Sequence, residues 1–370
     1  MTNRIRRKTV FAIGLILLIV ITNGLLHSLL DLNISKTSLD TENYRLCSVM
    51  TVSYEEKVFL GANIDAPPQD FSRFTPYIFF FSSESKENES DPEYGLIAFE
   101  LFCEEKGNEH VSLLGGMNEK GLAFGSSGLP ETPINSHPER LYSNSSENFY
   151  LKILRECSSV TCVIEMVENA DLESMKGQYH FADKTGNAVV ISAGKNGELA
   201  FTKKDGGDGY LVSTNFNLAN PDHGRYPCWR YDTATHMLEE KHTFTLDYFI
   251  SILDAIHIEG KSANTIFSYV FDLRTGDVYI YYFHQFEEFY KTNVPNELAD
   301  SHYGNHGVPL PDLFSQETKD LALSEFQTYR EHFFIEVAVI IGAGIGGLVV
   351  GVYLYDRIVK KRRSKLKKEE

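Results

Sequence analysis

Two apolar stretches decide the fold: Cys47-Ser48-Val49-Met50-Thr51-Val52 and Val58-Phe59-Leu60-Gly61-Ala62-Asn63-Ile64-Asp65, on either side of the charged turn Tyr54-Glu55-Glu56-Lys57. Apolar and small residues alternate in both, which predicts two antiparallel strands joined as a hairpin. Pairing brings the outer ends together, so a cysteine at the start of the first strand comes near a carboxylate just past the end of the second. A thiol reacts as its thiolate and needs a neighbour to manage its proton, which makes Cys47 a candidate nucleophile with Asp65 beside it. The alternative is a buried strand cysteine that only fills space.

Outward from this hairpin the same alternation continues. Ala66-Pro67-Pro68-Gln69 stops the strand. Further strands are predicted over 77–81 and 95–102, around a polar loop, and over 110–114 and 122–124, around a glycine- and asparagine-rich turn at 115–121. Helical spacing follows over 147–157, with Phe149, Ile153 and Leu154 on one face, and over 160–170, with Val163, Val167 and Ala170 on one face. Strands return over 179–182, 188–193, 198–202 and 210–214. Helices resume at 229–239 and 245–256, and a hairpin over 265–283 turns at Arg274-Thr275-Gly276. Many antiparallel strands with two separate helical groups predict a layered α+β domain. The chain of 370 residues is long enough to bury a sizeable core.

The ends are of another kind. Arg4, Arg6, Arg7 and Lys8 precede an apolar run from Val10 to Ile21 that weakens toward Leu30, the pattern of a signal peptide or an uncleaved signal anchor. Val337 to Tyr355 is a run of 19 residues without a charge, followed by a basic tail from Lys360 to Lys368, which predicts a spanning helix and a stop-transfer signal. Basic residues on the outer flank of both runs place both ends in the cytoplasm and residues 31–334 outside. The expected organisation is therefore a signal segment (1–30), a propeptide or linker (31–46), the main domain (47–309), a stalk (310–334), a transmembrane helix (335–355) and a basic cytoplasmic tail (356–370). Gly342-Ala343-Gly344-Ile345-Gly346-Gly347 fits G-x-G-x-x-G, but too little chain follows for a dinucleotide-binding domain. Gly342-xxx-Gly346 and Gly347-xxx-Gly351 instead suit close helix packing, and so a homo-oligomer through the membrane helix.

Charge and cysteine content narrow the function. Residues 1–8 carry +4 and residues 356–370 carry +5, against −16 for the whole chain, which leaves about −25 for the rest. Such an exterior argues against nucleic acid and against docking on anionic lipid heads. Of five cysteines, Cys103, Cys157, Cys162 and Cys228 could form two disulfides in an oxidising compartment, leaving Cys47 as the odd one. No His/Cys pair shows ligand spacing, so neither metal nor cofactor is implied.

With these residues in hand, the chain resembles the cysteine-type N-terminal nucleophile (Ntn) hydrolases, in particular the linear-amide group with choloylglycine hydrolase, penicillin V acylase and acid-ceramidase-like enzymes. Five pieces carry the resemblance in order: Cys47-Ser48-Val49 with Gly61 to Asp65, Gly116 to Leu122, Ser213-Thr214-Asn215-Phe216, Trp229-Arg230-Tyr231, and Tyr269 to Gly276. It implies a four-layer αββα sandwich and self-processing before Cys47, whose freed α-amino group then serves as base for its own thiol. It further implies that Asp65 holds the amino group, that Asn215 donates to the oxyanion, and that Arg230, or less readily Arg225, fills the later arginine position near the nucleophile. The substrate implied is a small amide, and a membrane tether makes lipid-like amides accessible.

Two departures stand out. The best-known members carry arginine where this chain has Ala62, and an asparagine where it reads Ser126-Ser127-Gly128-Leu129. Both favour the rival reading of a catalytically inactive ligand-binding ectodomain on the same fold; acyl transfer to another amine is the rival within catalysis. A cysteine–histidine enzyme has only scattered histidines such as His180, His223 and His284, none with a local signature.

Overall fold

The computed structural model describes residues 47–66, 74–83, 93–105, 108–143, 149–224, 226–240, 244–260, 263–299 and 307–329, with a few single positions beyond. Two antiparallel sheets form the body. The first runs in the order β12 (Gly209–Ser213), β1 (Ser48–Tyr54), β2 (Lys57–Ala66), β15 (Asn264–Asp272), β16 (Asp277–Tyr282) and β17 (Tyr290–Asn293). The second runs β11 (Leu199–Lys204), β10 (Ala188–Ala193), β9 (Ser174–Asp183), β6 (Leu122–Pro133), β5 (Asn108–Asn118), β4 (Leu96–Glu105), β3 (Phe74–Phe81) and β18 (Val308–Pro309). Small ladders pair β7 (Tyr142–Ser143) with β8 (Ala170–Asp171) and β13 (Phe216–Asn217) with β14 (Asn220–Gly224).

Three apolar clusters separate four layers. Val49, Leu60, Ile64, Phe99, Phe267 and Phe271 fill the space between the two sheets. On the outer face of the second sheet, Phe124, Phe181 and Ile191 pack under α1 (Phe149–Glu156) and α2 (Val160–Glu168), which present Ile153, Leu154, Val163 and Val167. On the outer face of the first, Met50, Val52 and Val270 pack under α3 (Trp229–Glu240) and α4 (Leu246–Ala255), which present Ala234, Leu238, Phe249 and Leu253. Alternation along β1 shows the physical origin of the layering: Val49 faces the other sheet and Met50 faces the helices. The predicted strands lie where the alternation places them, several of them lengthened because hairpin pairing extends past the apolar run that nucleates it; the helices match within two residues at each end, and Gly115 to Asn118, expected in a turn, belong to β5.

Several buried polar groups pair across the space between the sheets, although Ser192 Oγ on β10 is buried with no partner among the described residues. His180 on β9 is fully buried, and its ring nitrogens lie 2.8 Å from Thr51 Oγ1 and 3.1 Å from Ser213 Oγ, tying β9 to β1 and β12. Burial pushes its pKa down to about 3, so it is a neutral strut. Tyr269 crosses from β15 to the other sheet, where its hydroxyl lies 3.3 Å from Leu114 O and 3.5 Å from Phe124 O. Gly115 leaves room for that hydroxyl, since a Cβ there would collide with the phenol.

Two expectations are corrected. Only one disulfide forms among the described residues, Cys157–Cys162, bridging the end of α1 and the start of α2; Cys228 is a buried free thiol within 3.3 Å of Thr214 Oγ1. The segment expected as a stalk is packed on the domain as far as Phe326. It opens with β18 and a 3-10 turn (Leu310–Leu313) and continues as helix over 316–329. The ring of Phe314 lies 5.6 Å from that of Tyr282 in a tilted contact, Leu310 and Ala322 join the core between the sheets, and Phe326 is buried. His284 Nε2 lies 2.8 Å from Glu325 Oε2. Apolar residues every few positions within a polar stretch gave this docking, which composition alone disguised as a linker. The two expected membrane segments lie almost wholly outside the described residues, among which no helix is long and apolar enough to cross a membrane.

Candidate active site

Strand register assembles the site. Ser48 pairs with Asn63, and Val49 with Ser213. Cys47 precedes Ser48, Asp65 lies two residues beyond Asn63, and Asn215 lies two beyond Ser213, so all three gather at one end of the first sheet. Arg230 joins them from the first turn of α3. Trp229 and Arg230 are neighbours in sequence but point about 100° apart on the helix, so Trp229 is half exposed while Arg230 is buried.

Asp65 is a fully buried strand carboxylate, not a turn residue, and both of its oxygens face donors. Arg230 Nη1 donates to Oδ2 at 2.7 Å, and Thr265 Oγ1 donates to Oδ1 at 2.5 Å. Burial is the largest influence and raises its pKa to about 6, against the opposing pull of Arg230, the Thr265 hydrogen bond and His257. Arg230 Nη2 donates in turn to Asn215 Oδ1 at 2.6 Å. One guanidinium thus spans a carboxylate and a carboxamide from segments far apart in sequence, which the flat fork of arginine allows and a lysine would not.

Asn215 is held from several sides. Its Nδ2 donates to Gly128 O at 2.8 Å. Gln178 Nε2 donates to Thr214 O at 2.6 Å and Phe216 O at 2.8 Å, bracketing Asn215, and Ser127 Oγ donates to Thr214 O at 2.8 Å. The Ser126-Ser127-Gly128 segment, read in the sequence as the site of a missing asparagine, is therefore stitched to the Asn215 loop. Ala62 is buried between Val49 and Tyr269, its partners on the flanking strands. An interior position fits alanine there.

Cys47 is buried in the core between the sheets and close enough to Tyr269 for a thiolate to act on the phenol, whose pKa burial and then Cys47 raise. The scattered histidines are engaged elsewhere: His180 with Thr51 and Ser213, His223 with Thr132, His284 with Glu325. Arg225 lies outside the described residues. Sequence reasoning missed Thr265 and Gln178, and marked the segment that holds Ser127 without giving that hydroxyl a part. The register opposite Asp65 was the one available signal for Thr265; nothing local marks Gln178.

Two facing sheets between helical layers, with a cysteine leading the first strand and a buried aspartate–arginine–asparagine chain at that end, define a choloylglycine hydrolase-like Ntn fold. The chain belongs to the family described as acyl-coenzyme A:6-aminopenicillanic acid acyl-transferase, whose model matches residues 53–286. That span holds Asp65, Asn215 and Arg230 and begins just after Cys47. Among solved structures, a variant of conjugated bile acid hydrolase from Clostridium perfringens is 17% identical, covering 71% of this chain and 96% of that one with a TM-score of 0.50. Penicillin V acylase from Agrobacterium tumefaciens is 12% identical over 70% of this chain and 89% of that one, with a TM-score of 0.47. At such identity the first likeness is one of fold. No curated protein sequence matches the chain.

Proposed function

We propose that the chain is a self-processing amidase that cleaves a linear, non-peptide amide through Cys47. The observation that carries this reading is the Asp65–Arg230–Asn215 chain, buried at the strand end where Cys47 stands. Breakage of the Leu46–Cys47 bond gives Cys47 a free α-amino group, which titrates near neutrality and takes the thiol proton. The thiolate adds to the amide carbonyl, the amine leaves with that proton, and water hydrolyses the acyl-enzyme. Asp65 holds the α-amino group, Arg230 aligns Asp65 with Asn215, and Asn215 donates to the oxyanion.

The reading extends to the rest of the chain. Residues 1–30 direct export, 31–46 are the propeptide, and 335–355 anchor the domain in a membrane with the basic tail 356–370 in the cytoplasm; glycine spacing in the anchor favours pairing of two copies. The Cys157–Cys162 disulfide supports an oxidising, extracytoplasmic location. An apolar, lipid-like substrate is supported by aromatic side chains flanking the site: Phe216 meets Tyr226 and Tyr231 at 5.0 Å each, and Tyr226 and Trp229 are more than half exposed. Acyl transfer is the second reading, favoured by the description of the family, and differs only in that an amine replaces water at the acyl-enzyme.

The test is intact mass and N-terminal sequence of the full chain beside Cys47→Ala. A wild type that begins at Cys47 with a variant that stays longer supports the proposal. A shared N-terminus upstream of Cys47 overturns it, and the inactive binding ectodomain then leads.

A further inference from the structure

Thr265 stands directly opposite Asp65 in the β2–β15 ladder, and the register slips immediately afterwards, so that Phe267 and not Ile266 faces Ile64. Opposed residues on antiparallel strands share a face, and the slip confines this pairing to the strand end where the site lies. The Thr265 hydroxyl is committed on both sides. Ile258 N donates to Oγ1 at 2.9 Å, and Thr265 N returns a bond to Ile258 O at 2.9 Å. A hydroxyl has one proton; with an N–H already directed at its oxygen, that proton goes to Asp65 Oδ1 at 2.5 Å. Oδ2 is taken by Arg230. The carboxylate therefore has one donor per oxygen, each from a different element, and its plane is set by the two together.

We propose that Thr265 is a positioning residue for amide cleavage: through its hydroxyl, clamped by the Ile258 backbone, it holds Asp65 turned to receive the α-amino group of Cys47. The inference rests on the reading of Cys47 as an N-terminal nucleophile and adds a residue to that site. The groups facing Asp65 are Arg230 from α3, Thr265 from β15 and, at longer range, His257 beyond α4. His257 is stacked on His284 at 5.5 Å and sits 2.9 Å from Glu259, 3.1 Å from Asp254 Oδ1. Of these, only Thr265 gives a bond that a near-isosteric substitution deletes without removing a charge.

The experiment compares wild type, Thr265→Val, Thr265→Ser and Thr265→Ala in the full chain. It follows the pH dependence of two rates: appearance of the Cys47 N-terminus, and iodoacetamide alkylation of Cys47 read by peptide mass mapping, which requires no knowledge of the substrate. With the hydroxyl gone, Asp65 takes up a proton more readily. The acid limb of both profiles then moves up by about one pH unit in Thr265→Val, which slows alkylation about tenfold at pH 6 and little at pH 8. Thr265→Ser follows the wild type. Superimposable Val and wild-type profiles overturn the inference, as does a Ser variant that behaves like Val, since packing of the methyl group is then what matters. Thr265→Ala supplies the same comparison if Val does not fold. A wild type that keeps its leader and alkylates as an ordinary thiol defeats the nucleophile reading itself; an active wild type with an indifferent Val variant defeats this one alone.

Discussion

Arg230 and Asp65, 165 positions apart in the chain, meet at 2.7 Å with neither side chain more than 5% exposed. Removing one partner of a buried pair leaves a charge without compensation, which typically costs about 3–5 kcal/mol. Arg230→Met is therefore expected to lower unfolding free energy by roughly that amount and, by releasing Asn215 as well, to lower turnover at least about a hundredfold. Arg230→Lys rescues little, because one ammonium cannot reach both Asp65 and Asn215 in the same geometry. Urea unfolding with Cys47-dependent processing checks both.

The pH dependence has a definite sign. Asp65 has a folded pKa raised to about 6 from an ordinary value of 3.8, so between those values the folded state binds the proton and the unfolded state does not. The fold is destabilised at this residue above pH 6, by about 3 kcal/mol, and that penalty is relieved as pH falls from 6 toward 4. Glu100, raised to about 7 by burial, acts in the same direction, so the comparison is with Asp65→Asn, which loses Asp65's share only. Under the proposed mechanism activity goes the other way: it needs the carboxylate and is expected to fall on the acid side of about pH 6. Melting curves from pH 4.5 to 7.5 and a pH–rate profile should show the two trends opposed.

Gln178 brackets Asn215 without touching Cys47 in any described contact. Gln178→Leu takes the donor from Phe216 O and one of two from Thr214 O, which keeps the Ser127 hydroxyl, at about 1–3 kcal/mol, and loosens the Asn215 loop. The expected result is a kcat loss of about ten- to a hundredfold with little change in KM, because under the proposed mechanism the loop acts on the oxyanion and not on ground-state binding. A KM effect alone would contradict this placement.

The Cys157–Cys162 bridge closes a short loop, its ends five positions apart in sequence. Chain entropy for so short a loop gives about 2 kcal/mol, so Cys157→Ala with Cys162→Ala should melt several degrees lower while processing at Cys47 persists. Thiol counting before and after reduction tests the assignment, since Cys228 is free without reduction.

Much of this was legible in the sequence. Alternation around Tyr54 to Lys57 placed the first hairpin, and helical spacing picked out Ile153, Leu154, Val163 and Val167, because burial imposes a period on residues close in sequence. The hairpin pattern alone puts Asp65 beside Cys47; Asn215 and Arg230 rest on a family resemblance, and periodicity has nothing to say about them. That Arg230 bridges the other two was not legible, since it depends on where α3 lands on β2. Thr265 was hidden for a related reason: a threonine in a strand has a β-branched propensity that explains it fully, and only register reveals its partner. The packed segment around Phe314 and Ala322 was misread as a stalk because its few apolar residues show their purpose only beside Tyr282 and Leu310.

That packed segment bears on how the domain meets its surroundings. Phe314, Ala322 and Phe326 are seated on the domain, and Glu325 grips His284, so the helix is held on the domain as far as residue 329. A loose leash fixes only how far a body can wander; a stiff post fixes which way it faces. Under the anchoring proposed above, the part of the connection up to residue 329 adds nothing to the reach of the site, and lengthening the chain just after it would alter which depth of lipid the site can reach without changing its chemistry.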